Sequence, residues 1–141
     1  MSAFEITRGQ WLDLKRPCQA VRELVFVVEQ DVDPSEEWDD MDQACVHFVA
    51  HDRTGNAIGT ARLLPDGHIG RMAVIKAWRG RGVGDALLKA AVASALEAGH
   101  RELALNAQTH ALGFYARFGF AATGEPFDEA GIAHRRMTLS I

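Results

Sequence analysis

The stretch "RMAVIKAWRGRGVGDALL", residues 71–88, constrains the fold of this chain more than any other. It places Gly80, Gly82 and Gly84 on alternate positions beside Arg79 and Arg81, then runs straight into a helical apolar pattern. Glycine costs backbone entropy on folding, so this density signals a backbone that turns sharply or lies against something bulky. The pattern that follows predicts a helix over 82–98. Val83, Leu87, Ala91 and Ala95 form one stripe, Leu88, Val92 and Leu96 widen it, and Gly99 stops it. The run before the turn, "HIGRMAVI", ends apolar and predicts a strand buried on both faces. A strand, a glycine turn and a helix N-terminus together make an anion site, because free N–H groups and the positive dipole end point outward. A triphosphate loop would need lysine and then Ser or Thr after its last glycine, whereas Gly84 is followed by Asp85 and Ala86. A dinucleotide fingerprint fits Gly80 and Gly82 but meets aspartate at position 85, and it should follow an N-terminal strand. Two readings stay open: a pyrophosphate on Gly80, Gly82 and Gly84 flanked by Arg79 and Arg81, or a solvated turn with charged flanks.

The remaining elements alternate in type. "AFEITR" reads as a first strand, and "PCQAVRELVFVVEQ" as a helix that starts at Pro17 with Val21, Leu24 and Val25 on one face. "ACVHFVAHD" and "NAIGTARLL" read as a hairpin turning at Arg53, Thr54 and Gly55. After the long helix, "ELALNA" is a strand, "HALGFYARF" a short helix, and "GFAATG" and "IAHRRMTLSI" are closing strands. Hairpins followed by strand, helix, strand, helix and two strands make a mixed α/β (α+β) domain, and 141 residues suit one domain, 1–141. Only Cys18 and Cys45 are present, so neither a cysteine metal quartet nor a disulfide framework is expected, and a reduced, cytoplasmic setting fits. No signal peptide or membrane span is recognisable, and a net charge of −4 argues against nucleic acid as a partner. The charge is uneven: residues 29–42 hold eight acids and no lysine or arginine. That segment reads either as a solvated loop or as a surface that attracts a cationic substrate.

The glycine stretch resembles the acyl-CoA-binding motif of the GNAT acetyltransferase superfamily, [QR]-x-x-G-x-[GA] after a strand, with Arg79, Gly82 and Gly84 at the defining positions. "QTHALGFYARFGF" is similar to the second signature of that family, N-x-x-A-x-x-[FL]-Y-x-x-x-G-F, through Ala111, Phe114, Tyr115, Gly119 and Phe120. "VFVVEQ", the acidic stretch and "FDEAGIAH" further resemble its YjcF/ElaA-like branch. The resemblance implies one GNAT domain: a mixed, mostly antiparallel sheet of six to seven strands, splayed at its centre, with about four helices. It implies acetyl-CoA as cosubstrate, no metal, a small primary amine as acceptor, and room for a homodimer. A non-catalytic acyl-CoA sensor and an acyltransferase acting on a protein amine are the alternatives.

Carried over residue by residue, the resemblance assigns the pantetheine to the backbone of Met72, Ala73 and Val74. It assigns the pyrophosphate to Arg79, Gly80, Arg81, Gly82, Val83 and Gly84. Where the second signature has asparagine, this chain has Gln108; Asn106 is a reserve that strand alternation turns to the same side. The Val74 N–H is the implied donor to the carbonyl oxygen, and Tyr115, the only tyrosine, the implied proton donor to the thiolate. For the base the candidates are His68, six residues before Val74, His134 on a late strand, and Glu29, expected buried at the end of the first helix. An ordered water is the further option.

Overall fold

The structure is a computed structural model and describes residues 3–141. Strand β1 (Phe4–Gln10) leads into helix α1 (Trp11–Arg22), which continues without a break as a π-helical turn, Glu23–Glu29. A one-turn helix α2 (Pro34–Glu37) precedes β2 (Val46–Asp52), β3 (Ala57–Leu63) and β4 (Ile69–Val74). Helix α3 (Val83–Glu97), strand β5 (Glu102–Gln108), helix α4 (Leu112–Phe118) and strands β6 (Ala121–Glu129) and β7 (Ile132–Ser140) complete the chain. No helix among the described residues is long and apolar enough to cross a membrane.

The first helix starts at Trp11, not at Pro17, which lies inside it. Proline forfeits one helical hydrogen bond there, and burial of Leu14, Cys18, Val21 and Val25 on one face outweighs the loss. The π turn closes with Gln30 N–H bonding the Val25 carbonyl (3.0 Å), five residues back.

Two antiparallel sheets form, ordered β1-β2-β3-β4 and β5-β7-β6. One parallel bridge, His68 to Ala104, joins them. Helix α3 packs Val83, Leu87, Leu88, Ala91 and Ala95 against the buried faces of both sheets, including Phe48, Ile58, Leu103, Leu105 and Met137. The contact with β3 depends on Gly59: a Cβ there would stand 2.9 Å from Leu87 Cδ1 and from Val83 Cγ1. A second cluster packs Val21, Val25 and Phe26 against Ala73, Ala130 and Ile132 on the opposite face.

Strand β4 departs from the sequence expectation. Ile69 and Ala73 are buried, but Gly70, Arg71, Met72 and Val74 are only half-buried, because one edge of the strand borders an opening. Its pairing with β3 slips by one residue between Thr60 and Arg62, and Arg71 takes φ +49°. An extra residue of this kind bends its strand and raises the local twist. Just before β4 the chain touches β5 through the His68–Ala104 bridge; beyond it, among the described residues, no ladder joins β4 to β5. The sheets therefore part as a wedge that opens toward Val74 and Gln108.

Candidate functional site

Val74 opposes Gly59 on β3, whereas its neighbour Ile75 donates its N–H to the Ile58 carbonyl (2.9 Å). Antiparallel ladders alternate, so Val74 holds a non-hydrogen-bonded position and turns its N–H to the wedge. Below it, Gly80 and Gly82 take φ +75° and +85°, and Gly82 caps α3 with no side-chain bond. Among the described residues, the amides of 80–84 find no acceptor. A Cβ at Gly80 or Gly82 would meet nothing within 4 Å, so their surroundings are open. The Arg81 guanidinium lies 3.8 Å from the Trp78 ring centroid, which holds it beside the loop. Arg79 donates from Nε to the Val74 carbonyl (2.9 Å) and forks its two terminal nitrogens onto Glu29 at 2.5 and 2.6 Å. Glu29 is thus exposed and ion-paired, not buried as expected; Arg79 lowers its pKa through that hydrogen bond.

Tyr115 stands on α4 with its ring packed edge-on against Phe114 (5.0 Å) and Phe120 (6.1 Å). Its hydroxyl points at Met72 Sδ (3.6 Å), on the strand that carries the free Val74 amide. Burial pushes its pKa up to about 12.

The family model for the acetyltransferase (GNAT) domain matches residues 19–141. The chain belongs to the GNAT family. It is 38% identical over 121 residues to YjcF, an uncharacterised N-acetyltransferase of Bacillus subtilis, covering 83% of this chain and 86% of that one. It is similar to an acyl-CoA N-acyltransferase structure from Pseudomonas aeruginosa (31% identity, TM-score 0.86, 97% and 99% of the two chains). Escherichia coli ElaA has the same fold at 26% identity and TM-score 0.85, over 97% of this chain and 99% of that one. The protein is therefore a GNAT-type N-acyltransferase, of a family whose donors are acyl-CoA thioesters.

The residues present fit such a donor. Unclaimed amides at a helix N-terminus, open space where side chains would stand, and two flanking guanidiniums are what a pyrophosphate requires. Gln108, at the asparagine position of the second GNAT signature, and the reserve Asn106 are both engaged elsewhere. Gln108 and Gln30 exchange hydrogen bonds, Gln108 Nε2 donating at 2.8 Å and Gln30 Nε2 at 3.2 Å, and His110 also donates to Gln108 Oε1 (2.7 Å). Asn106 shares the side of Gln108, as alternation predicts, but its amide turns to Glu129 (3.4 Å). Gln30 and Glu129 were invisible in the sequence, since nothing periodic or spaced marks either.

The structure separates the candidate bases. His68 sits at the closed end of the wedge, held by Asp66 (3.0 Å) and close to Arg136 (3.4 Å). Six residues of strand put it roughly 20 Å from Val74 at about 3.3 Å per residue. Glu29 is committed to Arg79. His134 lies across from Gln108 on β7, 6% exposed, with the Phe127 ring stacked on it (5.9 Å).

Four of the eight acids in residues 29–42 (Glu29, Glu37, Asp39 and Asp42) are ion-paired with arginines. Asp42 accepts from both Arg22 and Arg62 at 2.9 Å, Glu37 accepts from Arg22 (3.1 Å), and Asp39 binds Arg62 at 2.8 and 2.9 Å and Arg71 at 3.2 Å. Arg22 is itself fully buried beneath Trp11 and Trp38. The Arg62 hydrogen bonds hold the Asp39 carboxyl down at about 2, whereas burial pushes Glu37 above the ordinary range. A depressed carboxylate contributes stability above its unfolded pKa, near 4, and loses it as pH falls through its folded value. Glu37 acts in the opposite sense, gaining from protonation. The expected result is a urea midpoint that drops between about pH 4 and 2, and an Asp39→Asn variant whose drop is smaller. An unchanged pH dependence in that variant would show that Asp39 is not the linked group.

Proposed function

We propose that this GNAT chain transfers an acetyl group from acetyl-CoA to a primary amine of a small molecule, by direct attack of the amine on the thioester. One conjunction carries the reading: among the described residues, an unpaired Val74 amide, a run of unclaimed amides below it, and the hydroxyl of the half-buried Tyr115 above the same strand. Acetyl-CoA supplies an acyl group activated as a thioester. The amides of 80–84 and the α3 N-terminus bind its pyrophosphate, with Arg79 and Arg81 alongside. The open edge at Met72, Ala73 and Val74 pairs with the pantetheine amides, and Gln108 faces that edge from β5 with its amide bonded to Gln30.

Negative charge gathers on the carbonyl oxygen as the amine adds, and the Val74 N–H stabilises it from a position fixed before reaction. Tyr115 gives its hydroxyl proton to the departing sulfur. A pKa of about 12 keeps that proton in place across the neutral range. The acceptor approaches from the face of Gln108 and His134, where the π turn packs on the β6–β7 hairpin through Phe26 and Ile132. That enclosure favours a small molecule over a protein surface.

The loop assignment is tested by heat. Acetyl-CoA at about 100 times its Kd should stabilise the fold by roughly 2.7 kcal/mol. Gly82→Asp is expected to abolish that shift. The aspartate tolerates the positive φ better than most residues and has space in the free protein, but its carboxylate occupies and repels the phosphate seat. A normal acetyl-CoA shift in this variant would remove the loop from the site. Release of free thiol with a panel of amines then tests the reaction itself.

A further inference from the structure

We infer that His134 is the general base for the acceptor amine and that Glu129 positions and charges it, an assignment that rests on the acetyl-transfer reading above. His134 Nδ1 lies 2.7 Å from the Ile132 carbonyl. A carbonyl can only accept, so Nδ1 carries the ring proton and the lone pair of the neutral imidazole resides on Nε2. Among the described residues that nitrogen has no hydrogen-bond partner, although the ring around it is buried. It faces Glu129 Oε2 at 3.6 Å, while Glu129 Oε1 is held by the Asn106 amide. A histidine fixed in one tautomer by a backbone carbonyl, with an oriented carboxylate beside its free nitrogen, is built to take a proton and to hold the resulting charge.

Its position suits the acceptor rather than the donor. His134 pairs across β5 with Gln108 and across β6 with Phe127, so the three side chains share one face, at the wide end of the wedge. The groups around it are few in charge. Glu129 and the apolar Phe127 ring come from β6, neutral Gln108 from β5, and Arg136, two residues along β7, points to His68 instead. Arg135 turns to the Gly124 carbonyl, and Glu29 of the π turn is tied to Arg79. Glu129 is thus the charged group that faces the imidazole, and it attracts an acceptor that arrives as an ammonium ion.

The protons balance. An ammonium gives one proton to His134 Nε2, which passes it to solvent. The freed lone pair forms the C–N bond to the acyl carbon as the C–S bond breaks, its electron pair leaving on sulfur. Sulfur takes the Tyr115 proton, and the second proton shed by nitrogen restores the tyrosine. The products are an N-acetyl amide, a free thiol and one proton in solution.

The test uses the intact protein, nitrogen-15 NMR of its histidines, and kcat/KM against pH with the best amine of a panel. The neutral His134 should show the Nδ1–H tautomer. His134→Gln should lower kcat/KM near pH 7 by about a hundredfold or more, the range of a lost proton-transfer catalyst, with an unchanged thermal shift on acetyl-CoA. Glu129→Gln should lower kcat/KM for the amine while leaving the thermal shift on acetyl-CoA unchanged, because the imidazole loses the carboxylate beside Nε2, and Glu129→Asp should recover part of that loss. An Nε2–H tautomer, or a His134→Gln enzyme with wild-type kcat/KM and an intact acidic limb, overturns the assignment. A wild type that acetylates no amine overturns the proposed function instead, and the tautomer still decides whether this histidine is built as a base.

Discussion

Tyr115→Phe is expected to lower kcat by about a hundredfold or more while leaving KM for acetyl-CoA within a factor of about three. The substitution removes one hydroxyl and keeps the ring, so the edge-on packing against Phe114 and Phe120 persists. What disappears is the proton that the leaving sulfur collects, and general-acid help of that kind contributes about 10²–10⁴ in rate. Loss in kcat without loss in KM marks an interaction made in the transition state alone. The pKa of about 12 adds a second readout. Wild-type activity should not fall through tyrosine ionisation below about pH 10, since burial holds the proton well past the ordinary phenol range. Full turnover in the variant would make Tyr115 a packing residue and water the proton source. Tight acetyl-CoA binding by a wild type that turns over no amine would favour a sensor.

Asp42→Asn is expected to cost about 3–5 kcal/mol of folding stability, the range measured when one partner of a buried ion pair is removed. The carboxylate sits between the guanidiniums of Arg22 and Arg62, 2.9 Å from each, and all three side chains are buried. An amide satisfies part of the hydrogen bonding but leaves Arg22 with Glu37 alone, and Arg62 with Asp39 alone, as the carboxylate opposite a buried guanidinium. For a domain of this size the melting temperature should fall on the order of 10 °C. Glu97→Gln is the control: its partner Arg8 and its own side chain are both largely exposed, and such pairs contribute about 1 kcal/mol or less. Equal melting temperatures for the two variants would show the cluster to be energetically idle. The same ion pairs mean that neutralising Asp39 and Asp42 reads out as lost stability before it reads out as lost affinity for a cationic substrate.

Features carried by contiguous residues were legible in the sequence. The glycine turn, the helix it opens and the tyrosine signature depend on spacings of a few residues, and local periodicity records them directly. Pairings over longer separations were not legible. Arg22 meets Glu37 and Asp42 across 15 and 20 residues, and Arg62 meets Asp39 across 23, so the acidic run read as a solvated loop or a cation-attracting surface while its counter-ions lay in other elements. Glu29 was expected inside the protein because it ends an apolar helix; its partner Arg79 stands 50 residues on and holds it at the surface. Pro17 read as a helix start because that position is its commonest helical one, but a buried face extended the helix before it. Gln30 and Glu129 carry no sequence signal, since a lone polar residue at the end of an element looks the same whether it is solvated or engaged.

The wedge that parts β4 from β5 also follows chain order. Every strand of one sheet precedes Gly99 and every strand of the other follows it, while the glycine loop lies entirely on the first side. Asn106, Gln108, Glu129 and His134 all lie on the second. A single recombination crossover near Gly99 therefore exchanges the whole acceptor-facing sheet between relatives in one block and leaves the phosphate loop untouched. In such a chimera the surfaces to be matched are the face of α3 and the π turn against the hairpin. Gln108 and Tyr115 travel with the exchanged block, so such a chimera keeps the phosphate loop and must bring its own proton donor for the sulfur.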